Sequence, residues 1–179
     1  MQIQKSRVEV AGLHIPQIPW QQPPISNRTF AHCLNALFVN TKILTGNVIS
    51  LHLHLAIRTE GQDYMPALLS HFQLELVGQA AALQHEIVGR NTEPVPFHEW
   101  GNYADLWRIP DVENVQAGLV LLHDSADLLM ILYESMLTIA IEQRDQSRSF
   151  FLLANHMISI QAYLQELEYA IRWMREPEA

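Results

Sequence analysis

One cysteine, two lysines and seven glycines in 179 residues each remove a class of explanation. Cys33 has no partner for an internal disulfide, and a cysteine-based zinc motif is absent. Lys5 and Lys42 are the only lysines, the nine arginines are scattered, and the net charge is −8. Nucleic-acid binding rests on clustered cations that displace counterions from phosphates, so no nucleic-acid partner is expected. The opening MQIQKSRVEV lacks the apolar run of a signal peptide. The most apolar run, AGLVLLHDSADLLMILYESMLTIAI, is broken by His123, Asp124, Asp127 and Glu134. Charges at a bilayer centre are costly, so no membrane span is expected, and a soluble cytoplasmic protein is the default. Also missing are a glycine-rich phosphate loop and any Glu-x-x-His pair.

What is present is helix pattern. Apolar residues make up 49% of the chain, enough for one domain with a core. Residues 1–26 read as an extended arm, because HIPQIPWQQPP carries four prolines and no helix runs through it. Residues 27–179 read as one helical domain. Ser26 or Asn27 caps a first helix expected over about 28–59, with Leu34, Leu37, Thr41, Leu44, Val48, Leu51 and Leu55 on one face. Gly61 breaks it. A second helix over 64–88 carries Leu69, Phe72, Leu76, Leu83 and Ile87 as its core stripe. FHEWGNYADLWRIP holds one short helix inside a long crossover. Asp111 caps a third helix over 112–143, apolar nearly all round and so expected to be covered on several sides, as in an oligomer. After the turn EQRDQS, a fourth helix over 148–175 carries Phe151, Leu153, Met157, Ile160, Tyr163, Leu164, Leu167, Ile171 and Met174. Four long helices joined short–long–short make an all-α, ferritin-like four-helix bundle with one crossover.

The second helix holds the first candidate chemistry. At roughly 100° per residue, His71, Glu75 and Glu86 fall within about 60° of one another. Gly78 and Ala82 share their stripe and let another helix approach. Imidazole with carboxylates suits Fe(II) and related divalent ions. The plainer reading of the same residues is a polar or interfacial face with an i,i+4 His71–Glu75 pair. His123, Asp127 and Glu134 make a second stripe on the third helix, either a metal site inside the bundle, an acidic cavity wall or a buried polar contact. His52 and His54 face apart on a regular helix and cannot chelate together. His156 reads as a satisfied core histidine, and Met130, Met136, Met157 and Met174 as core filler.

In layout, residues 30–175 resemble the mini-ferritins of the Dps (DNA protection during starvation) family. IRTEGQDY stands where the family closes its first helix, TEPVPFHEWGNYADLWRIPDV resembles its Pro-containing crossover, RDQS its turn before the last helix and AIRWM its aromatic end. The family's second helix carries His-x3-Asp-x10-Asp-x3-Glu. Here those spacings hold His71, Glu75, Glu86 and Arg90, so the fourth ligand has become an arginine. The family's first-helix histidine falls on Ala56, with His52 one turn earlier, and an alternative register brings in His85. The resemblance implies a homo-oligomeric cage, by analogy a dodecamer, that binds, oxidises or stores iron and limits peroxide damage. It implies a ferroxidase whose metal ligands are His71, Glu75 and Glu86, with His52 from a neighbouring subunit, for iron or another divalent metal. Arg90 and Ala56 instead favour a non-catalytic assembly or partner-binding protein on the same scaffold. A different helical metal enzyme using His123 and Asp127 is the third reading.

Overall fold

The structure is a computed structural model that describes residues 30–58, 64–109, 114–142 and 148–175. The expected arm, the Gly61 break, the Ser26/Asn27 and Asp111 caps and the turn at 144–147 lie outside these residues, as does the Ala56 side chain. Four long helices follow in order: α1 (Phe30–Arg58), α2 (Tyr64–Gly89), α3 (Val115–Glu142) and α4 (Arg148–Arg175), with a 3₁₀ helix at Phe97–Asn102 between α2 and α3. Among the described residues there is no strand.

The apolar stripes explain the packing. Every member of the α1 and α2 stripes named above is buried, Thr41 included. On α3, Leu119, Leu122, Ala126, Leu129, Tyr133 and Ala140 are fully buried. By length and composition α3 would pass for a membrane span, but here those residues join the bundle core. On α4 the stripe is narrower than expected. Leu153, Ile160, Leu167 and Ile171 are buried, whereas Phe151 is exposed, its ring edge-on to that of Phe150. α1 packs on α2 and α3, and α4 packs on α3 and, less extensively, on α2. α2 ends in a left-handed cap. Asn91 has φ 54°, its N–H donates to the Val88 carbonyl at 3.0 Å, and the Thr92 N–H reaches the Ile87 carbonyl at 3.3 Å. Asparagine tolerates this backbone region better than most residues.

Three buried asparagines on α1 bolt the crossover in place. Asn35 Oδ1 accepts from the Val95 N–H at 3.0 Å. Asn40 Oδ1 accepts from both the Asp105 and Leu106 N–H groups, at 2.7 and 2.8 Å, while its amide donates to the Tyr103 carbonyl at 3.2 Å. Asn47 Oδ1 accepts from the Ile109 N–H at 2.9 Å and its amide donates to the Trp107 carbonyl at 2.8 Å. Asparagine is a poor helix former because its amide competes for backbone groups. Here that tendency is turned on a neighbouring strip of irregular chain, whose buried polar groups would otherwise lack partners. Trp100 adds an apolar anchor, with its ring edge-on to Phe38 at 6.4 Å and its N–H on the Val95 carbonyl at 3.2 Å.

Candidate metal centre on the second helix

The face that α2 turns towards α4 is largely polar. As α2 advances from Phe72 to Glu86, its α4 partner recedes from Tyr163 to Ser149, so the two helices run antiparallel. Phe72 stacks on Tyr163 at 4.5 Å. The Ser159 hydroxyl donates to Glu75 Oε1 at 2.8 Å, and the Gln79 amide donates to the same oxygen at 3.3 Å. Gln79 also reaches the His156 carbonyl at 3.5 Å. Glu86 accepts from the Ser149 hydroxyl and from Arg90 Nε, the latter at 3.1 Å. At the far end the Tyr64 hydroxyl donates to Glu166. That bond, with the carboxylate charge beside it, pushes the phenol up to about 12.

This seam divides the four expected metal ligands. Glu75 and Glu86 are half-buried and turn inward to α4 of their own chain. His71 is exposed, as is His85. His52 is half-buried on α1. Among the described residues no three His, Cys, Asp or Glu side chains come together closely enough to hold a metal ion. Within one chain the described residues therefore do not gather the expected ligands, which the resemblance would complete with His52 of a neighbouring subunit. Glu86 is engaged by Arg90 and Ser149, while Glu75 keeps both of its bonds on one oxygen, Oε1. The third-helix stripe does not enter the bundle either. Asp127 and Glu134 are exposed, and half-buried His123 lies 3.7 Å from exposed Asp124.

Inside the bundle lies a polar pair. Tyr133 is fully buried, and its hydroxyl sits 3.1 Å from His156 Nδ1. Burial drives the Tyr133 phenol well above its usual range, with Thr41 pulling it partly back. Burial likewise lowers the His156 imidazole to about 4, against the upward pull of the Glu75 charge. Both rings stay neutral near pH 7. His156 is thus the satisfied core histidine expected from its apolar surroundings. Met136 is buried, and Met130, Met157 and Met174 pack half-buried against the core. Sequence reasoning missed Tyr133, Ser149 and Ser159, since a serine on a helix carries no signal until its cross-helix neighbour is known. The i,i+4 spacing of Glu86 and Arg90 was the exception.

A four-helix bundle with its long connection between α2 and α3 and a short helix within it has structural relatives. The chain superposes on Dps from Vibrio cholerae O1, described as a member of a broad superfamily of ferritin-like diiron-carboxylate proteins. The TM-score is 0.70 at 17% identity, covering 79% of this chain and 88% of that one. The fold is that of the Dps mini-ferritins. Dps from Listeria innocua soaked with cobalt gives a TM-score of 0.75 at 14% identity, over 84% and 96% of the two chains. Dps from Listeria monocytogenes gives 0.74 at 14% identity, over 82% and 96%. No protein-family model matches the sequence, and no curated protein does. At these identities the mini-ferritin fold is shared while the chemistry rests on the residues of this chain.

Proposed function

We propose that this chain is a shell subunit of a cytoplasmic, Dps-like mini-ferritin that sequesters iron as cargo. In this reading the two-metal oxidation centre has been reduced to one weak cation site. The observation that carries the reading is the one-sided commitment of Glu75: its two bonds end on Oε1, and exposed His71 precedes it by one helical turn. An imidazole and one free carboxylate oxygen make half a site for a divalent ion. His52 from a second copy is the proposed third ligand. Reducing peroxide to water takes two electrons, and one ferrous ion supplies one. Oxidation is therefore slow and waits for a second ion. The acidic balance of the chain draws cations inward.

Anaerobic Fe(II) titration followed by peroxide tests this. At most one iron per chain is expected, with slow formation of the ferric product. His71→Ala and Glu75→Ala should each abolish binding. Two irons per chain, or binding unchanged in both variants, would overturn the reading. No binding in the wild type would establish the second reading, a metal-free assembly, which the engagement of Glu86 by Arg90 favours.

Self-assembly is the other half of the proposal. Leu74, Val77 and Val88 on α2 and Ile49 and Leu53 on α1 are all exposed. Exposed large apolar side chains on two packed helices are what an interface between copies would cover. Light scattering at micromolar concentration should give a large homo-oligomer, a dodecamer by analogy. A 20 kDa monomer would refute it.

A further inference from the structure

We infer that the Arg90 guanidinium is the resident cation at the end of α2, standing where the motif spacing of the resemblance would place the fourth metal ligand. The bundle accordingly closes there with no metal on Glu86. This rests on reading α2 as a metal-binding helix with an altered motif. The side-chain geometry carries it. Arg90 Nε lies 3.1 Å from Glu86 Oε1 and Nη2 lies 2.6 Å from Ser149 Oγ. Its Cζ sits 4.3 Å from the centre of the Phe30 ring. Ser149 Oγ donates to the same Glu86 oxygen that Arg90 holds.

One cation thus ties three elements at one end of the bundle: the first residue of α1, the last turn of α2 and the start of α4. The contact is shielded. Ser149 is fully buried, the Glu86 side chain is 14% exposed and that of Arg90 is 30% exposed. A planar guanidinium serves this role well, because its fixed fork meets a carboxylate and a hydroxyl together while its face lies on an aromatic ring. Its position just past the C-terminus of α2 also sets a positive charge at the negative end of the helix dipole. A divalent ion approaching Glu86 meets a carboxylate already engaged and a positive charge beside it.

The test uses the full-length chain carrying His71→Ala, which removes the proposed single-cation site, with Co(II) as the probe. Calorimetric titration and thermal melting are the readouts. In that background the melting temperature should be the same in EDTA and in Co(II), and Glu86→Gln should leave cobalt binding unchanged. Adding Arg90→Glu should lower melting in EDTA by roughly 5 °C or more. Co(II) should restore it with one added equivalent per chain. Arg90→Gln should fall likewise and not be restored. If Arg90→Glu does not fold in EDTA, folding on addition of Co(II) supports the inference and continued unfolding opposes it. Loss of a cobalt equivalent on Glu86→Gln, or no restoration of Arg90→Glu, overturns it. Iron uptake at His71 and Glu75 is read separately, since it does not pass through Glu86.

Discussion

Replacing Asn40 by alanine is expected to cost the folded chain about 4 kcal/mol, a large share of the stability of an ordinary domain. Asn40 has no solvent exposure and serves three crossover backbone groups, the N–H of Asp105 and of Leu106 and the carbonyl of Tyr103. Alanine leaves all three without this partner, and Leu106 is itself buried. Each orphaned buried group costs about 1–3 kcal/mol. The loss of a hydrophilic side chain returns nothing, because water has no route to a fully enclosed position. Asn47→Ala removes two such bonds and should cost roughly two-thirds as much. Urea denaturation at fixed protein concentration measures both. An Asn40→Ala protein within about 1 kcal/mol of wild type would mean that the crossover is held by its aromatic contacts instead.

Lowering the pH from 6.5 towards 4 is expected to cost about 3 kcal/mol through His156 alone. The sign follows from where the proton binds. Burial lowers the folded-state imidazole to about 4, while the unfolded chain keeps the ordinary value of 6.5. Above pH 6.5 both states are neutral at this residue and it contributes no pH dependence. Between 6.5 and 4 the unfolded chain takes up a proton that the folded chain refuses, so stability falls with falling pH. Below 4 the loss levels off. Protonation would also set a charged imidazole 3.1 Å from the Tyr133 hydroxyl, in a buried place. Other groups titrate in the same window, so the readout is the difference between wild type and His156→Phe. The variant should show a shallower decline by that amount. Parallel pH profiles for the two proteins would refute the assignment.

The architecture was legible because the α1 and α2 stripes recur at helical spacing, and the helices of a bundle must bury those stripes. Boundaries came within a few residues, since Pro, Gly and Asn punctuate the chain where the helices stop. Phe151 shows the limit: it fits the α4 period yet lies on the wrong edge of the stripe, and period alone does not say where an interface ends. The α1 asparagines were readable in principle. Three amides buried among the apolar residues of a helix are a cost that some neighbour must offset, though the sequence does not say which. The candidate site was legible in part. The wheel placed His71, Glu75 and Glu86 together, but a wheel assigns direction and not occupancy. Whether a carboxylate is open depends on its neighbours, and Ser159 and Ser149 are more than sixty residues away. Only the Glu86–Arg90 pairing was within reach, because both partners lie on the same turn.

The asparagine contacts also bear on how the chain finds its topology. They climb α1 in order: Asn35 holds Val95, Asn40 holds Asp105 and Leu106, and Asn47 holds Ile109. The crossover therefore travels in the same direction as α1 and delivers α3 to the opposite end of the bundle from the one where α2 stops. The α1–α2 and α3–α4 hairpins are joined by short connections and close cheaply. The asparagine bonds span about sixty residues and are the slow, non-local step. With both hairpins formed but the crossover unfastened, apolar burial alone says little about their relative direction, because the hydrophobic effect is non-directional. The ladder of amides makes one direction satisfy the crossover's polar backbone and the other strand it, so it selects the topology rather than merely decorating it.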